Sequence, residues 1–428
     1  MPKLKVIVVG AGLGGLCLAQ MLRRADIEVE IFERDAGPWA RQQGYRLHID
    51  RDGVNALREV LPDDLYRLFE ATAMRPLPFT TIVDTGLKEL RRMPSGGPDR
   101  APRHWLAEGD PQHVNVDRTT LRHILLTGLQ DVCRFGARML RYETDAEGVT
   151  AVFSDGSTAR GDILVGADGI RSAVRRQRLP EARIVDTGVG AIYGRIPIER
   201  VRHLLPGQVL GDVFTVASDD RRVFFGLGPV VFPNRPDVAS GRIAPQAGLS
   251  SQEDYVVCIV GGRREYFPGD GAMPREAGGP ELQALSIGML DNWPEAAGTI
   301  LAHGDPSSFF AIEMHTSVPC DLQETFRVTL LGDAIHAMTP TLGRGANVAM
   351  RDAALLGHAI VAVERGEVGL ALALNAYERE MTDYGFSVVR ESAAMGQRLM
   401  GQDPLPAQRS HRVAFLKRRS LQPSVFLL

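Results

Sequence analysis

Lysine is nearly missing from this 428-residue chain: only Lys3, Lys5, Lys88 and Lys417 stand among its 49 basic residues. Against 52 acidic residues the formal net charge is −3, which leaves no basic footprint for a nucleic acid or a polybasic membrane surface. The arginine excess is attributed to coding composition and carries no mechanism. Cysteine is equally scarce. Cys17, Cys133, Cys258 and Cys320 lie far apart without CxxC spacing, which speaks against a disulfide framework or a zinc site and suits a reducing cytoplasm. No apolar stretch is both long and glycine-poor enough to span a bilayer. The apolar end Val425-Phe426-Leu427-Leu428 is too short, and is expected to pack on the body of the protein or on a neighbour. Internal repeats and low-complexity tracts are also lacking.

What is present begins at the N-terminus. Val6-Ile7-Val8-Val9 runs into Gly10-Ala11-Gly12-Leu13-Gly14-Gly15, and Val29-Glu30-Ile31-Phe32 leads to Glu33. The spacing predicts a strand, a glycine turn, a helix and a second strand closed by an acid, the fingerprint of a dinucleotide site. Gly10 permits the tight turn, Gly12 lets the backbone approach a pyrophosphate, and Gly15 lets the helix pack close to the sheet. Phosphates then lie at the positive end of that helix, and Glu33 is placed to accept from the ribose hydroxyls. The repeated glycines and the continuing βαβ pattern argue against reading residues 6–22 as a signal peptide.

Further along, a helix is expected from about Val116 to Cys133, with Leu121, Ile124, Leu125 and Leu129 on one face. Arg118 in its first turn opposes the helix dipole and is explained either by a bound anion or by simple solvation. Strands are expected at Gly148 to Phe153 and Asp162 to Val165, separated by the turn Asp155-Gly156 and ending in Gly166-Ala167-Asp168-Gly169-Ile170-Arg171-Ser172. From Pro180 to Glu324 short β-branched and aromatic runs alternate with Pro/Gly-rich turns, which reads as a mostly antiparallel sheet in a second domain. A parallel-type strand returns at Phe326 to Leu331, followed by Gly332-Asp333-Ala334-Ile335-His336. Helices are expected from Ala346 through Val363 and from about Leu370 to Leu399.

The three motifs GAGLGG with Glu33, GADGIRS, and GDAIH…P…GRGAN stand in an order and spacing that resemble the class A flavoprotein monooxygenases, the para-hydroxybenzoate hydroxylase family. The likeness runs from the N-terminus to about Leu399. Asp162, Gly166, Asp168, Gly169, Ser172 and Arg175 match the family's middle signature. Gly332, Asp333, His336, Pro340, Gly343, Gly345, Asn347 and Asp352 match its late one. The resemblance implies an α/β fold, with a Rossmann-type FAD-binding domain, an inserted mostly antiparallel substrate domain and C-terminal helices. The expected divisions are 1–75, 105–180 and 326–365 for the FAD domain, 76–104 and 181–325 for the substrate domain, and 366–428 for the helical end. FAD contacts are expected from Gly10, Gly12, Leu13, Gly14, Gly15, Glu33, Arg34, Arg46, Arg118, Asp168, Asp333, Pro340, Gly343, Gly345, Ala346 and Asn347. Arg118 resembles the family arginine that reaches the pyrophosphate. Asp333 is expected to accept from the ribityl chain, and amides after Gly343 to stabilise charge on the reduced flavin edge. His336 is expected to be a hydrogen-bonded scaffold residue.

By the same resemblance NAD(P)H reduces FAD, O2 adds at the flavin C4a position, and the hydroperoxide oxygenates a phenolic, indolic or polycyclic aromatic substrate. Arg46 and Pro340 are the expected catalytic residues beside flavin and nicotinamide, and a solvated surface position is the alternative for Arg46. An apolar pocket is expected from Tyr193, Arg195, Phe214, Phe225, Phe310 and His315. Epoxidation, a flavin-dependent reductase and a non-catalytic flavin-binding protein stand as alternatives. A halogenase is disfavoured because Trp39, Trp105 and Trp293 form no Trp-x-Trp and no lysine follows the first glycine motif. No metal, nucleic acid or membrane partner is expected, and the chain is expected to be a monomer or homodimer. The thioredoxin-like C-terminal domain of longer relatives is not expected.

Overall fold

Apolar runs with no polar alternation make strands that must be covered on both faces, and the first sheet is built from such runs. In the computed structural model, which describes residues 3–40, 44–94, 113–267, 273–274 and 276–407, Val6, Ile7 and Val8 are fully buried. Five parallel strands lie in the order Val328–Leu330, Ile163–Gly166, Lys5–Val9, Glu28–Glu33 and Cys133–Phe135. The helix Leu13–Arg24 crosses over from the first strand to the second, and Gly345–Glu364 packs beside it. That second helix is long and apolar enough to cross a membrane by length and composition alone. Here its Asn347 and Asp352 are wholly buried in the protein.

One local expectation is corrected. Val116 lies in a strand, Val114–Asp117, that pairs antiparallel with Arg46–Ile49; the helix runs only from Arg118 to Leu126, and Cys133 begins a strand. The apolar spacing is genuine, but Asp117 caps the helix by accepting from Thr120 N at 2.7 Å, and Gly128 at φ +80° follows its end. The strand Val149–Phe153 is outside the parallel sheet. It turns through Asp155-Gly156 into Thr158–Gly161 and joins Met139–Thr144 in a separate three-stranded sheet.

The second large sheet has seven strands, in the order Phe310–Ser317, Ile184–Pro197, Tyr255–Arg263, Phe224–Val230, Asp212–Ser218, Leu77–Val83 and Glu89–Pro94. Every pair is antiparallel except Asp212–Ser218 with Leu77–Val83. Side chains alternate between its faces. One face, with Ile192, Ile196, Phe225, Leu227, Cys258 and Val260, is sealed by Leu282, Ala297, Ile300 and Leu301. Those residues belong to helices Gly279–Gly288 and Glu295–Ala302, which the sequence reading did not anticipate because the first has almost no amphipathic stripe. The other face carries Tyr193, Phe214, Val216, Ile259, Phe310 and Ile312, all half-buried. The 31-residue helix Leu370–Met400 ends at Gly401, φ +67°, with Met400 against this face. Trp105 and the apolar end 425–428 lie outside the described residues.

Candidate cofactor and substrate site

The glycine loop is tight everywhere but at one point. Gly10 has φ +112°, and a Cβ on it would stand 2.3 Å from Ala167 O; one on Gly15 would stand 2.1 Å from Gly10 O, and one on Gly14 2.4 Å from the Leu331 side chain. Around Gly12 nothing lies within 4 Å. The loop therefore offers open backbone at the position where a pyrophosphate needs it. Gly12 is also the N-cap of Leu13–Arg24, a helix with no side-chain cap, so its leading amides remain for a ligand. Leu13 itself is buried. Glu33 accepts from Ala11 N at 2.8 Å and from Asp35 N at 3.0 Å, one amide to each oxygen. It thus clamps the loop as well as presenting remaining lone pairs to a ribose. Arg34 points outward and stands 3.9 Å from Asp35. Arg122, which the sequence reading missed, donates to Ala11 O at 3.1 Å and to Pro38 O. Its signal was the one-turn spacing from Arg118.

The late motif meets this loop. A Cβ on Gly14 would lie 3.2 Å from Ala349 O, so the helices Leu13–Arg24 and Gly345–Glu364 run side by side with their starts at the same end. The second helix likewise has no side-chain cap, and the preceding Gly343, φ +64°, has open space around it. Asp333 is solvent-accessible, yet the surrounding protein raises its carboxyl against the opposing pull of His336 and Arg118. Such a carboxylate can still accept from the hydroxyls of a ribityl chain. Pro340 is exposed beside it, and Gly345 and Ala346 are half-buried.

Asn347 departs from expectation. Its Oδ1 accepts from Asp50 N at 3.0 Å and its Nδ2 donates to His48 O at 2.9 Å and Gly343 O at 3.1 Å, so a fully buried side chain locks the turn rather than facing the cleft. Arg344, also unanticipated, ties the same turn to Asp50, Asp52 and Tyr384. His336 is a buried scaffold residue: its Nε2 meets Asp352 Oδ2 at 2.5 Å. Burial lowers its pKa, but the Asp352 charge and hydrogen bond outweigh that and raise it. Asp168 accepts from Ala173 N at 2.7 Å with one oxygen and keeps the other buried without a protein partner; burial raises its pKa. Arg175 joins the middle and late motifs by donating to Ala334 O at 2.8 Å.

Arg46 is not a solvated surface residue. It donates to Asn115 Oδ1 at 2.6 Å and to Val213 O, lies 5.5 Å from the Phe214 ring, and keeps Nε without a partner. Burial lowers its pKa to about 10. A Cβ on Gly228 would touch its side chain at 2.8 Å, and one on Gly226 the Phe214 ring at 2.5 Å, so both large side chains lie over a glycine floor. Tyr193 stacks on Phe310 at 5.5 Å, and burial raises its hydroxyl to about 12. Arg195 lies over Tyr255 and Tyr45. Tyr193, Arg195, Phe214 and Phe310 therefore share the open face. Phe225 and His315 do not. Phe225 is 1% exposed in the helix-sealed layer, and His315 alternates away from Met314, which packs on the open side. At this edge Ser317 N donates to Ala337 O at 2.8 Å, joining the wall to the late motif.

Comparison with known proteins agrees with this geometry. A family model described as an FAD binding domain matches residues 272–392, and one described as an NAD(P)-binding Rossmann-like domain matches residues 8–56. The chain is 36% identical over 379 residues to a dual O-methyltransferase/FAD-dependent monooxygenase of Phaeosphaeria nodorum, covering 83% of this chain and 40% of that protein. It spans less than half the length of the dual-function fungal relatives it matches. Over 390 residues it is 29% identical to an FAD-dependent urate hydroxylase of Klebsiella pneumoniae, covering 89% and 86% of the two chains. The structure of Klebsiella pneumoniae HpxO complexed with FAD and uric acid superposes with a TM-score of 0.73 at 25% identity, covering 94% of this chain and 90% of that one. An open glycine turn, a second uncapped helix beside it and an accessible acid fit FAD, and the chain is similar both to FAD binding and Rossmann-like domains and to FAD-dependent monooxygenases.

Proposed function

We propose that this protein hydroxylates an aromatic small molecule, using FAD, NAD(P)H and O2. The carrying observation is the half-open apolar face of Tyr193, Phe214, Val216, Ile259, Phe310 and Ile312, which meets the late motif at Ala337. When bound, FAD takes electrons from NAD(P)H and supplies the centre at which O2 is activated. The protein's own part is to hold a flat, electron-rich ring against the wall and to exclude water. Glycines at 226, 228 and 261 keep the floor shallow enough for side chains and a ring above it. Asp333, Gly12 and the two uncapped helix starts hold the cofactor, while Asn347 and Arg344 fix the turn next to it.

The relatives support this chemistry: one is named a urate hydroxylase and another a 3-amino-4-hydroxybenzoate 2-monooxygenase. The four cysteines form no disulfide, which supports a reducing compartment such as the cytoplasm. The test is a panel of phenolic and polycyclic compounds scored for NADPH oxidation, O2 uptake and oxygenated product. Uptake matched by hydroxylated product supports the reading. NADPH oxidation that reduces the organic substrate without O2 uptake would make the protein a reductase, and epoxide product would replace hydroxylation.

A further inference from the structure

Where the 31-residue helix Leu370–Met400 ends, three successive residues are each caught by another part of the protein. The chain turns at Gly401, φ +67°, whose carbonyl accepts from Arg263 Nη1 at 2.9 Å. Gln402 Oε1 then accepts from Thr339 Oγ1 at 2.9 Å. Asp403 N donates to Thr187 O at 2.9 Å, and its carboxylate accepts from the same Arg263 nitrogen at 2.6 Å. Thr187 and Arg263 stand in neighbouring strands of the seven-stranded sheet, Ile184–Pro197 and Tyr255–Arg263, whereas Thr339 directly precedes Pro340 in the late motif. Residues 401–403 thus strap the sheet to the turn that is expected to hold the flavin.

Both ends of the strap are shaped for it. On the sheet, the register between Ile184–Pro197 and Phe310–Ser317 shifts between Asp186 and Gly190, and such bulges re-aim the strand beyond them. Tyr193 and its cross-strand partner Phe310, on the aromatic wall, lie beyond this one. Gly188 inside the bulge has φ +72°, and a Cβ on it would stand 2.8 Å from Asp403 Oδ2, so the carboxylate closes over bare backbone. At the late motif, Gln402 and Thr339 are only 3% and 2% exposed. The amide packs on Gly396, where a Cβ would collide with Oε1, and its Nε2 is buried without an acceptor among the described residues. On the far side of Pro340, Thr341 Oγ1 donates to Ser392 O at 2.8 Å. Pro340 is therefore flanked by two tethered hydroxyls, one held by Gln402 and one by the long helix. A buried amide with an unused donor is a costly choice for packing alone, since an apolar side chain of like shape avoids that cost. What the amide adds is the hydrogen bond to Thr339.

We infer that Gln402 is a positioning residue: through Thr339 it fixes Pro340, and through the strap it holds the flavin-binding turn at one distance from the aromatic wall. This deepens the hydroxylase reading and rests on it. Each turnover oxidises one NAD(P)H and consumes one proton and one O2. One oxygen atom enters the ring and the other leaves as water, or, when the ring is misplaced, both leave as hydrogen peroxide. Loosening the turn moves that balance toward peroxide, because oxygen transfer demands a close and fixed approach.

The experiment compares the FAD-loaded wild type with Gln402→Met, which keeps the shape and drops the amide oxygen, and with Thr339→Val and Thr339→Ser, which drop and keep the hydroxyl. The visible circular dichroism of the bound flavin is read without any aromatic compound, and peroxide formed per NADPH oxidised is then measured with a phenol that the wild type hydroxylates. Gln402→Met and Thr339→Val are expected to shift the flavin band in the same way at unchanged FAD content. Both are expected to raise the peroxide yield at least about threefold, as misplacement of reacting groups implies, with KM for NADPH unchanged. Thr339→Ser is expected to match the wild type. An unchanged flavin band and peroxide yield in Gln402→Met and Thr339→Val would overturn the positioning role, and a lowered melting temperature with both readouts unchanged would overturn it equally, leaving Gln402 purely structural. If Gln402→Met does not fold, the contrast between Thr339→Val and Thr339→Ser decides by itself. A wild type that binds no flavin, or oxygenates no phenol, would overturn the hydroxylase reading and this role with it.

Discussion

At the scale of single residues, position in the glycine loop separates folding from ligand binding. Gly10→Ala places a Cβ against Ala167 O at a positive φ, so it should lower the melting temperature and FAD content together. Gly12→Ala meets open space, and should keep the melting temperature of the flavin-free protein while weakening FAD. Equal melting losses would show that both glycines are purely conformational. Asp333→Ala should weaken FAD retention by about 10- to 100-fold, as loss of roughly 1.5–3 kcal/mol of charge-assisted hydrogen bonding implies, with far-UV dichroism unchanged. Full flavin occupancy would reduce the late motif to a turn. His336 supplies a pH test. Its pKa is raised in the folded state, so its pairing with Asp352 stabilises fully below about pH 6.5 and is lost as pH rises through the folded value. The stability gap between wild type and His336→Gln should therefore narrow as pH rises above about 6.5, read from denaturant midpoints; a constant gap would mean that folding does not shift the imidazole's pKa.

At the scale of elements, the two faces of one strand have opposite duties. In Phe224–Val230, Phe225 is sealed under helices while Gly226 and Gly228 floor the open wall beneath Phe214 and Arg46. Phe225→Ala should cost about 3–5 kcal/mol of stability, the usual range for a buried phenylalanine. Phe214→Ala should leave the denaturation midpoint close to wild type and raise KM for the aromatic substrate. Reversal of those two outcomes would exchange the assigned faces. The ribbon of Arg46–Ile49 and Val114–Asp117 links the layers: Asp117 caps the helix Arg118–Leu126 and accepts from Tyr255 OH at 2.9 Å, across to the large sheet. The strand that carries Arg46 toward the large sheet is tied on its other side, through His48 O and Asp50 N, to Asn347 in the turn after Gly343.

At the scale of the whole molecule, the described parallel sheet contains a single strand–glycine–helix–acid unit, whereas the proposed chemistry uses two coenzymes. If FAD occupies it, NAD(P)H must bind transiently across the cleft. Stopped-flow reduction should accordingly accelerate far more with aromatic substrate than coenzyme affinity improves. Equally fast reduction without any active substrate would sink this arrangement. Purified protein should be yellow and release non-covalent FAD on denaturation; FMN, or flavin retained by acid-precipitated chain, contradicts it.

Local chemistry was legible in the sequence wherever neighbours in the chain decide it. The apolar run before Gly10, the turn glycines, the acid at Glu33 and the helix after Gly343 depend on periodicity and backbone freedom over a few residues, and the structure has them at those positions. Tertiary packing alone decided which side of each strand would be open. Alternation tells Phe224 from Phe225 but not which side receives the helices Gly279–Gly288 and Glu295–Ala302 from later in the chain. It also redirected polar groups. Asn347 is claimed by backbone groups of Asp50 and His48, 297 and 299 residues away, and Arg46 by Asn115 and Val213, because buried donors and acceptors must be satisfied by whatever the fold brings within reach.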